Sequence, residues 1–238
     1  MQTVYEQSRF LGPSVCDASG HLSHPGAFGL FQDMAAAHAE LLGVGFEDMA
    51  ARLLFWLTVK TKIVFLKRPK IDETVLLRTW PEKPGSIRCH RSYELRKDGE
   101  LYLRGRTEWA VVNTGTRALV PPGSLFPAEA DYPPPACAEA FARIPPRTED
   151  LVPCGEVRVR STDIDVGGHM NNAAYLQAVF GALSSAEIAG REIRTVDAIF
   201  RASCFEGETL AVECRELDGC LDLRLSREDE SIFLARLA

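Results

Sequence analysis

The sequence lacks any long, uninterrupted apolar run. Although 46% of its 238 residues are hydrophobic, no stretch approaches the roughly 18 consecutive apolar residues of a transmembrane helix. Its first residues, MQTVYEQSRFLGPS, contain no basic segment followed by an apolar one, as a secretory signal peptide would. These absences predict a cytoplasmic protein with no membrane span.

The sequence also lacks a cysteine motif and an excess of positive charge. Its seven cysteines are scattered singly, without a CxxC pair or the Cys/His spacing of a zinc site. We therefore expect no disulfide scaffold, no metal and no cofactor. Acidic residues outnumber basic ones by 33 to 27, and the net charge is −6. Because nucleic-acid-binding proteins carry an excess of Lys and Arg, no nucleic-acid partner is expected.

The chain contains an internal repeat. DASGHLSHPGAFGLFQ begins at Asp17, and the similar DVGGHMNNAAYLQAVF begins at Asp165, 148 residues later. Further along, IVFLKRPKIDETVLL from Ile63 matches AIFRASCFEGETLAV from Ala198, 135 residues later. Two matches in the same order indicate a duplicated unit.

Each copy is predicted to contain one strand, one long helix and four further strands. Apolar periodicity predicts helices at about 25–42 and 172–189. A single helix ahead of four strands must cover one face of the antiparallel sheet that they form. We therefore predict an α+β double hotdog fold, in which two β-α-β-β-β-β repeats form a pseudo-dimer with a continuous antiparallel sheet. The predicted strands are 3–11, 54–66, 74–81, 87–96 and 101–113, then 156–161, 195–202, 209–217, 221–226 and 232–237.

The predicted domains are separated by a segment rich in Pro and Ala, LFPAEADYPPPACAEAFARIPPRTED. Such a composition is typical of a linker. We place the first domain at 1–124, the linker at 125–152 and the second domain at 153–238.

Residues 161–177, STDIDVGGHMNNAAYLQ, form the densest polar cluster. Asp163 and Asp165 lie two apart, so an extended segment would direct both carboxylates to one side. His169 and an asparagine pair follow at the predicted start of a helix, where Asn is a common cap and free N–H groups favour negative charge. The helix amides could stabilise an oxyanion while Asp165 activates water or attacks an acyl carbonyl. Alternatively, Asp165 and Asn171 only cap the loop.

The run DIDVGGHMNNAAY, residues 163–175, resembles the DxDxNxHxNNxxY signature of acyl-acyl-carrier-protein thioesterases. FQDMAAAHAELLGVGFEDM from Phe31 and WLTVKTKIVFLKRPKIDETVLLRTWP from Trp56 resemble the first half of the same family. The resemblance extends from Phe10 to Leu210. It implies a double hotdog fold, an acyl-binding first domain, a second domain with the catalytic loop, and hydrolysis of the thioester between a fatty acid and the phosphopantetheine arm of an acyl carrier protein. The implied state is a monomeric pseudo-dimer or a homodimer.

Two positions depart from the family pattern. Gly167 stands where the family has Asn, and Ser203-Cys204 stands where it has Glu followed by Cys. Loss of an orienting or basic group typically costs about 10²-fold or more in rate, so a slow enzyme or a different catalytic set is implied. The candidate catalytic residues are Asp165, His169, Cys204 and Ser203, and the candidate substrate-binding residues are Gly167, Gly168, Asn171 and Asn172.

Cys204 supports a separate hypothesis. A cysteine within reach of His169 could act as a thiolate nucleophile. The alternative is a small buried apolar side chain, which is the commoner role of a free cysteine.

Three other functions remain open. The reduced pattern DxDxxGHxNNxxY is also similar to that of single-hotdog acyl-coenzyme A thioesterases, in which one Asp near a helix N-terminus suffices. Gly20-His21 and His24-Pro25-Gly26 are weakly similar to the motif of hotdog hydratases and dehydratases, with Asp33 as the carboxylate. The substitutions at Gly167 and Ser203 are also compatible with a catalytically impaired acyl-binding protein.

A basic cluster in the first copy could attract an acidic carrier protein. It could equally be an ordinary solvated strand face. The cluster comprises Lys60, Lys62, Lys67, Arg68 and Lys70.

Overall fold

The computed structural model describes residues 3–126 and 130–238, and the chain divides into two compact units between Glu139 and Ala140. This boundary lies inside the predicted linker, of which residues 127–129 are outside the described part of the chain. No helix in the described ranges is long and apolar enough to cross a membrane.

In the first unit, one long helix packs against an antiparallel sheet. Phe31 of the helix stacks on Tyr93 of the sheet, with ring centroids 4.8 Å apart and planes 11° from parallel, and both rings are buried. Its elements are β1 (Tyr5–Phe10), α1 (His24–Leu41), α2 (Phe46–Ala51), β2 (Leu54–Phe65), β3 (Thr74–Pro81), β4 (Cys89–Lys97), β5 (Glu100–Asn113) and β6 (Leu119–Val120).

The strand order in this sheet is β1-β3-β4-β5-β2, with β6 paired to β5. Helix α1 begins where the Ser23 hydroxyl accepts a hydrogen bond from the N–H of Gly26, at 2.9 Å, and where Pro25 fits the first turn. It is followed by Gly43 at φ +68°, a conformation that favours glycine. The sequence did not predict α2 or β6.

The second unit repeats this plan. Its core contains an aromatic cluster of Tyr175, Phe200 and Phe233, whose ring centroids lie 5.1 to 5.7 Å apart. Its elements are β7 (Val152–Arg158), α3 (Asn172–Gly181), α4 (Ser185–Ala189), β8 (Thr195–Phe200), β9 (Thr209–Leu217), β10 (Cys220–Arg227) and β11 (Glu230–Leu237).

The strand order in the second sheet is β8-β11-β10-β9-β7, all antiparallel. Two elements of this unit differ from the sequence predictions. The strand predicted at 156–161 is β7, which extends from Val152 to Arg158, because residues from Val152 onwards pair with β9. The helix predicted over 172–189 is two helices, because the Ser184 hydroxyl accepts from the Glu187 N–H and the Glu187 carboxylate accepts from the Ser184 N–H, which starts a new helix.

The packing of α1 on β5 gives a test of the first unit. A Cβ at Gly105 would lie 2.8 Å from a ring carbon of Phe31 and 3.2 Å from the Lys62 carbonyl oxygen. We expect Gly105→Ala to reduce the free energy of unfolding by about 1–3 kcal/mol, as overpacking does. Gly29→Ala is the matched control, because nothing lies within 4 Å of its Cβ position in α1. It should stabilise by up to about 1 kcal/mol, and urea unfolding of both variants measures the difference. A Gly105→Ala protein as stable as the parent would contradict this packing.

Candidate active site

The segment between β7 and α3 is a closed loop in the second unit. Residues 161–163 form one 3-10 turn. The N–H of Asp165 then donates to the carbonyl of His169 at 2.9 Å, and the N–H of Gly168 donates to the carbonyl of Asp165 at 3.0 Å. Gly168 has φ +74°, which glycine adopts without strain. The loop therefore holds Asp165 and His169 opposite one another.

The loop is tied both to the sheet end and to α3. The N–H of Met170 donates to the carbonyl of Cys204 at 2.8 Å, and the N–H of Asn171 donates to the carbonyl of Asp163 at 2.7 Å. The Asn171 side chain caps α3 by accepting from the Ala173 N–H at 2.8 Å. The start of α3, with its partial positive charge, thus belongs to the same closed element as Asp165.

The Asp165 carboxylate is oriented but not neutralised. One oxygen, Oδ1, accepts from the Gly167 N–H at 2.8 Å, and the side chain is partly exposed. Within residues 3–126 and 130–238, no lysine or arginine forms an ion pair with it. The His169 ring packs against Phe205, with centroids 5.1 Å apart. A partly exposed carboxylate and a histidine ring therefore lie on the loop that leads to a helix start.

The first unit contains the same loop, built with the same hydrogen bonds. The N–H of Asp17 donates to the carbonyl of His21 at 2.8 Å, and the N–H of Gly20 donates to the carbonyl of Asp17 at 2.9 Å. Gly20 has φ +71°. The N–H of Ser19 donates to Asp17 Oδ1 at 2.9 Å. Each bond matches one in the second unit, 148 residues further along the chain.

The attachment to the sheet also matches. The N–H of Leu22 donates to the carbonyl of Pro69 at 2.8 Å, as that of Met170 does to Cys204. Pro69 and Cys204 are therefore structurally equivalent, which agrees with the 135-residue offset of the second sequence match.

One difference between the two loops concerns the charge next to the aspartate. In the first unit, Arg68 forms an ion pair with Asp17 Oδ2 and donates to the Leu22 carbonyl at 2.8 Å. Burial raises the pKa of Asp17, but hydrogen bonds from Ser19 and Arg68 outweigh it and hold the pKa below its ordinary value of 3.8. The position equivalent to Arg68 is Ser203, which is exposed. Only the first-unit aspartate has a fixed counter-ion.

A second difference concerns the residue two after each aspartate. In the first unit, the Ser19 hydroxyl donates to Asp17 at 2.5 Å and lies 3.1 Å from His21 Nδ1, so it bridges the two side chains. The equivalent residue is Gly167, which keeps the main-chain hydrogen bond to Asp165 and has no side chain. The substitution removes the bridge without releasing the carboxylate from its main-chain donor.

The structure opposes the nucleophile hypothesis for Cys204. Its side chain is inaccessible to solvent. Burial raises the pKa of this thiol to about 11, so roughly one molecule in 10⁴ would carry the thiolate at pH 7. What Cys204 contributes to the loop is its main chain, through the carbonyl bonded to Met170.

Several other predicted site residues have structural tasks. The expectation that Asp163 and Asp165 extend to one side is wrong, because Asp163 lies in the 3-10 turn, where its carboxylate accepts from the Arg160 N–H at 2.8 Å. Gly168 makes the turn, and Asn171 is the cap of α3, whose first residue is Asn172.

The role of Tyr175 was not predicted from the sequence. Its hydroxyl accepts from the Cys204 N–H at 2.9 Å and donates to the Ala202 carbonyl at 3.2 Å. The side chain is buried. It fixes the main chain on both sides of Ser203, and the only signal for it was the tyrosine that ends the family-like signature.

The basic cluster predicted in the first unit is not a single solvated patch. Lys62 is buried, Lys67 pairs with Glu100 at 2.5 Å, and Arg68 pairs with Asp17. Much of the positive charge on which the carrier-docking hypothesis depends is therefore buried or paired with carboxylates.

The hydratase motif does not assemble a catalytic pair. His24 is buried, with its ring against that of Phe65 at 4.6 Å. Asp33 points to solvent, with 72% of its side chain exposed and Arg9 at 3.9 Å. The exposed carboxylate of Asp33 and the buried ring of His24 therefore do not form the pair that such a reaction needs.

Comparison with known families identifies the two units. Residues 4–121 match the acyl-ACP thioesterase N-terminal domain, and residues 150–235 match the acyl-ACP thioesterase C-terminal domain. The chain is 24% identical over 201 residues to oleoyl-acyl carrier protein thioesterase 2 of Arabidopsis thaliana, covering 74% of this chain and 53% of that protein. It is 26% identical over 194 residues to the dodecanoyl-[acyl-carrier-protein] hydrolase of Umbellularia californica, covering 75% and 50%. The chain thus spans about half the length of the curated relatives it matches.

Solved structures show the same fold. An acyl-ACP thioesterase from Bacteroides thetaiotaomicron matches with a TM-score of 0.85 and 20% identity, covering 99% of this chain and 97% of that one. The 12:0-ACP thioesterase from Umbellularia californica matches with a TM-score of 0.82 and 18% identity, covering 100% and 97%. These similarities confirm the predicted double hotdog fold.

The lowered pKa of Asp17 makes the first loop sensitive to acid. A carboxylate whose pKa is lower in the folded state contributes stability above its unfolded pKa, and this is lost as pH falls through the folded pKa. We expect Asp17→Asn to cost about 1 kcal/mol at pH 7, the upper range for a partly exposed pair. The difference from the parent should narrow below about pH 4. Urea unfolding at several pH values measures this difference in the free energy of unfolding. The effect should shrink in an Arg68→Met background, and a cost independent of pH and of Arg68 would contradict the ion-pair explanation.

Proposed function

Because the chain belongs to the acyl-ACP thioesterase family, we propose that it hydrolyses the thioester of a fatty acyl-acyl carrier protein. The products are a free fatty acid and the carrier protein with its phosphopantetheine thiol. The observation that carries this proposal is the contrast between the two loops: Asp165 has no counter-ion among the described residues, whereas the equivalent Asp17 is paired with Arg68.

In the proposed reaction, Asp165 activates a water molecule. The carboxylate takes a proton as the water oxygen bonds to the acyl carbon, and the carbonyl oxygen becomes an oxyanion. The carbon–sulfur bond then breaks, and the sulfur leaves with the proton. Gly167 supports this route because its N–H orients the carboxylate while its missing side chain leaves room for water beside it. The first turn of α3, from Asn172, favours the developing negative charge.

The remaining candidates have supporting roles in this proposal. His169, held opposite Asp165 and packed on Phe205, orients the thioester. Ser203 acts through its small, neutral side chain, which leaves Asp165 unpaired. Cys204 supplies main-chain bonds and is not the nucleophile. We assign binding of the acyl chain to the first unit, as the family resemblance implies.

Replacement of Asp165 is the direct test of the mechanism. Asp165→Asn preserves size and can still accept from the Gly167 N–H, but it cannot take a proton from water. We expect kcat to fall by about 10²–10⁴-fold, as for loss of a general base, with KM little changed. The assay is thiol release from acyl-acyl carrier protein. Asp17→Asn, at the equivalent position of the other loop, is the matched control and should keep activity within about twofold of the parent. Equal losses in both variants would refute the assignment to the second loop.

A substitution at Ser203 can reproduce the first-unit ion pair in the second unit. In Ser203→Arg, the guanidinium should bond the Asp165 carboxylate and the Met170 carbonyl, as Arg68 bonds Asp17 and Leu22. We expect at least about a tenfold loss of kcat, because a paired carboxylate is a weaker base. Ser203→Ala is the control and should stay near the parent rate. An Arg variant as active as the Ala variant would show that an unpaired Asp165 is not required.

A further inference from the structure

A surface cleft in the second unit lies outside the loop described above. It has a volume of about 360 Å³ and is open to solvent. Its lining contains two arginines from different parts of the unit. The lining residues are Pro146, Arg147, Arg201, Asp229, Glu230 and Ser231.

Both arginines of this cleft are held by main-chain oxygens. Arg201 Nε donates to the Ser231 carbonyl at 3.3 Å, and Arg147 Nη2 donates to the Asp229 carbonyl. In the described part of the chain, neither forms an ion pair with a carboxylate. The positive charge of each guanidinium is therefore not offset by an ion pair, and each has further donors available, since it carries five N–H groups.

The acidic residues of the cleft offset this charge only in part. Glu230 pairs with Arg227 at 2.6 Å, so its charge is already matched. Asp229 contributes one carboxylate. With Arg147 and Arg201 counted, the cleft keeps a net charge of about +1, which suits a singly charged anion.

The cleft and the catalytic loop lie at the same end of the second sheet. Strands β7, β8 and β10 run in the same direction, because each is separated from the next by one antiparallel strand. The catalytic loop follows β7, Arg201 follows β8, and Asp229 follows β10. Arg201 is three residues from Cys204, at most about 11 Å along an extended chain. The Cys204 carbonyl in turn bonds the loop at Met170.

We propose that this cleft binds the phosphate group of the substrate's pantetheine arm. The inference rests on the proposed function, which requires a thioester at the end of that arm. The arm is a long, flexible chain with one phosphate at the end remote from its sulfur. A phosphate held between Arg147 and Arg201 would let the arm run along the sheet end towards Asp165. Guanidinium groups match phosphate oxygens in geometry and charge.

The experiment compares two small substrates that differ only in this phosphate, an acyl-phosphopantetheine and the corresponding acyl-pantetheine. We expect Arg147→Ala and Arg201→Ala each to raise KM about tenfold for the phosphorylated substrate, as for loss of one charge-assisted hydrogen bond. KM for acyl-pantetheine should stay unchanged. Arg201→Lys should recover part of the loss, and Asp229→Asn should lower KM for the phosphorylated substrate only. Arg158→Ala, an exposed arginine at the end of β7, is the matched control and should change neither.

Other outcomes would overturn the inference. Equal effects on both substrates would indicate a structural role for the arginines. An effect seen only with intact acyl carrier protein would indicate contact with the carrier's own acidic side chains. Calorimetric titration with phosphopantetheine and with pantetheine gives a readout independent of hydrolysis, and equal affinities would also overturn it. If the parent protein hydrolyses none of the thioesters, the proposed function fails, while the titration still decides whether the cleft binds phosphate.

Discussion

The hydrogen bond from the Met170 N–H to the Cys204 carbonyl is the contact on which the candidate site depends. It joins the loop before α3 to the segment after β8, two parts of the chain that are more than 30 residues apart. Because of this bond, the short turn from Asp165 to His169 is anchored to the end of the sheet, and the position of the Asp165 carboxylate is fixed. The equivalent bond, from the Leu22 N–H to the Pro69 carbonyl, occurs in the first unit, so the fold contains this anchored loop twice.

The two copies of this anchored loop differ in the side chains that surround the aspartate. In the first copy, Ser19 donates to Asp17 Oδ1 through both its N–H and its hydroxyl, and Arg68 pairs with Oδ2, so the loop is a polar cluster. In the second copy, the equivalent residues are Gly167 and Ser203, and the Asp165 carboxylate has no ion-pair partner among the described residues. Two of the side-chain differences lie next to the aspartate, Ser19 against Gly167 and Arg68 against Ser203, while the main-chain hydrogen bonds of the two loops are the same.

The sequence predicted the fold well where the pattern was local. Strands β3 and β9 have the predicted bounds, because alternating side chains and turn residues mark both ends. The break between α3 and α4 was missed because apolar residues continue across it, although Ser184 and Glu187 have the S-x-x-E spacing of a capping box. In the site, Asp165 and His169 could be singled out from a motif. The pairing of Arg68 with Asp17, 51 residues apart, and the burial of Cys204 could not, because both depend on tertiary contacts.

Tyr175 holds the backbone around residue 203, three residues after the end of β8, without using the side chain at that position. Its phenol hydroxyl occupies the main-chain groups on either side of residue 203, so the path of the backbone there does not rely on the side chain at that position. Evolution can therefore exchange that side chain for another of different size or charge while the scaffold stays in register. A change of chemistry at this one exposed position therefore does not require the architecture around it to be rebuilt.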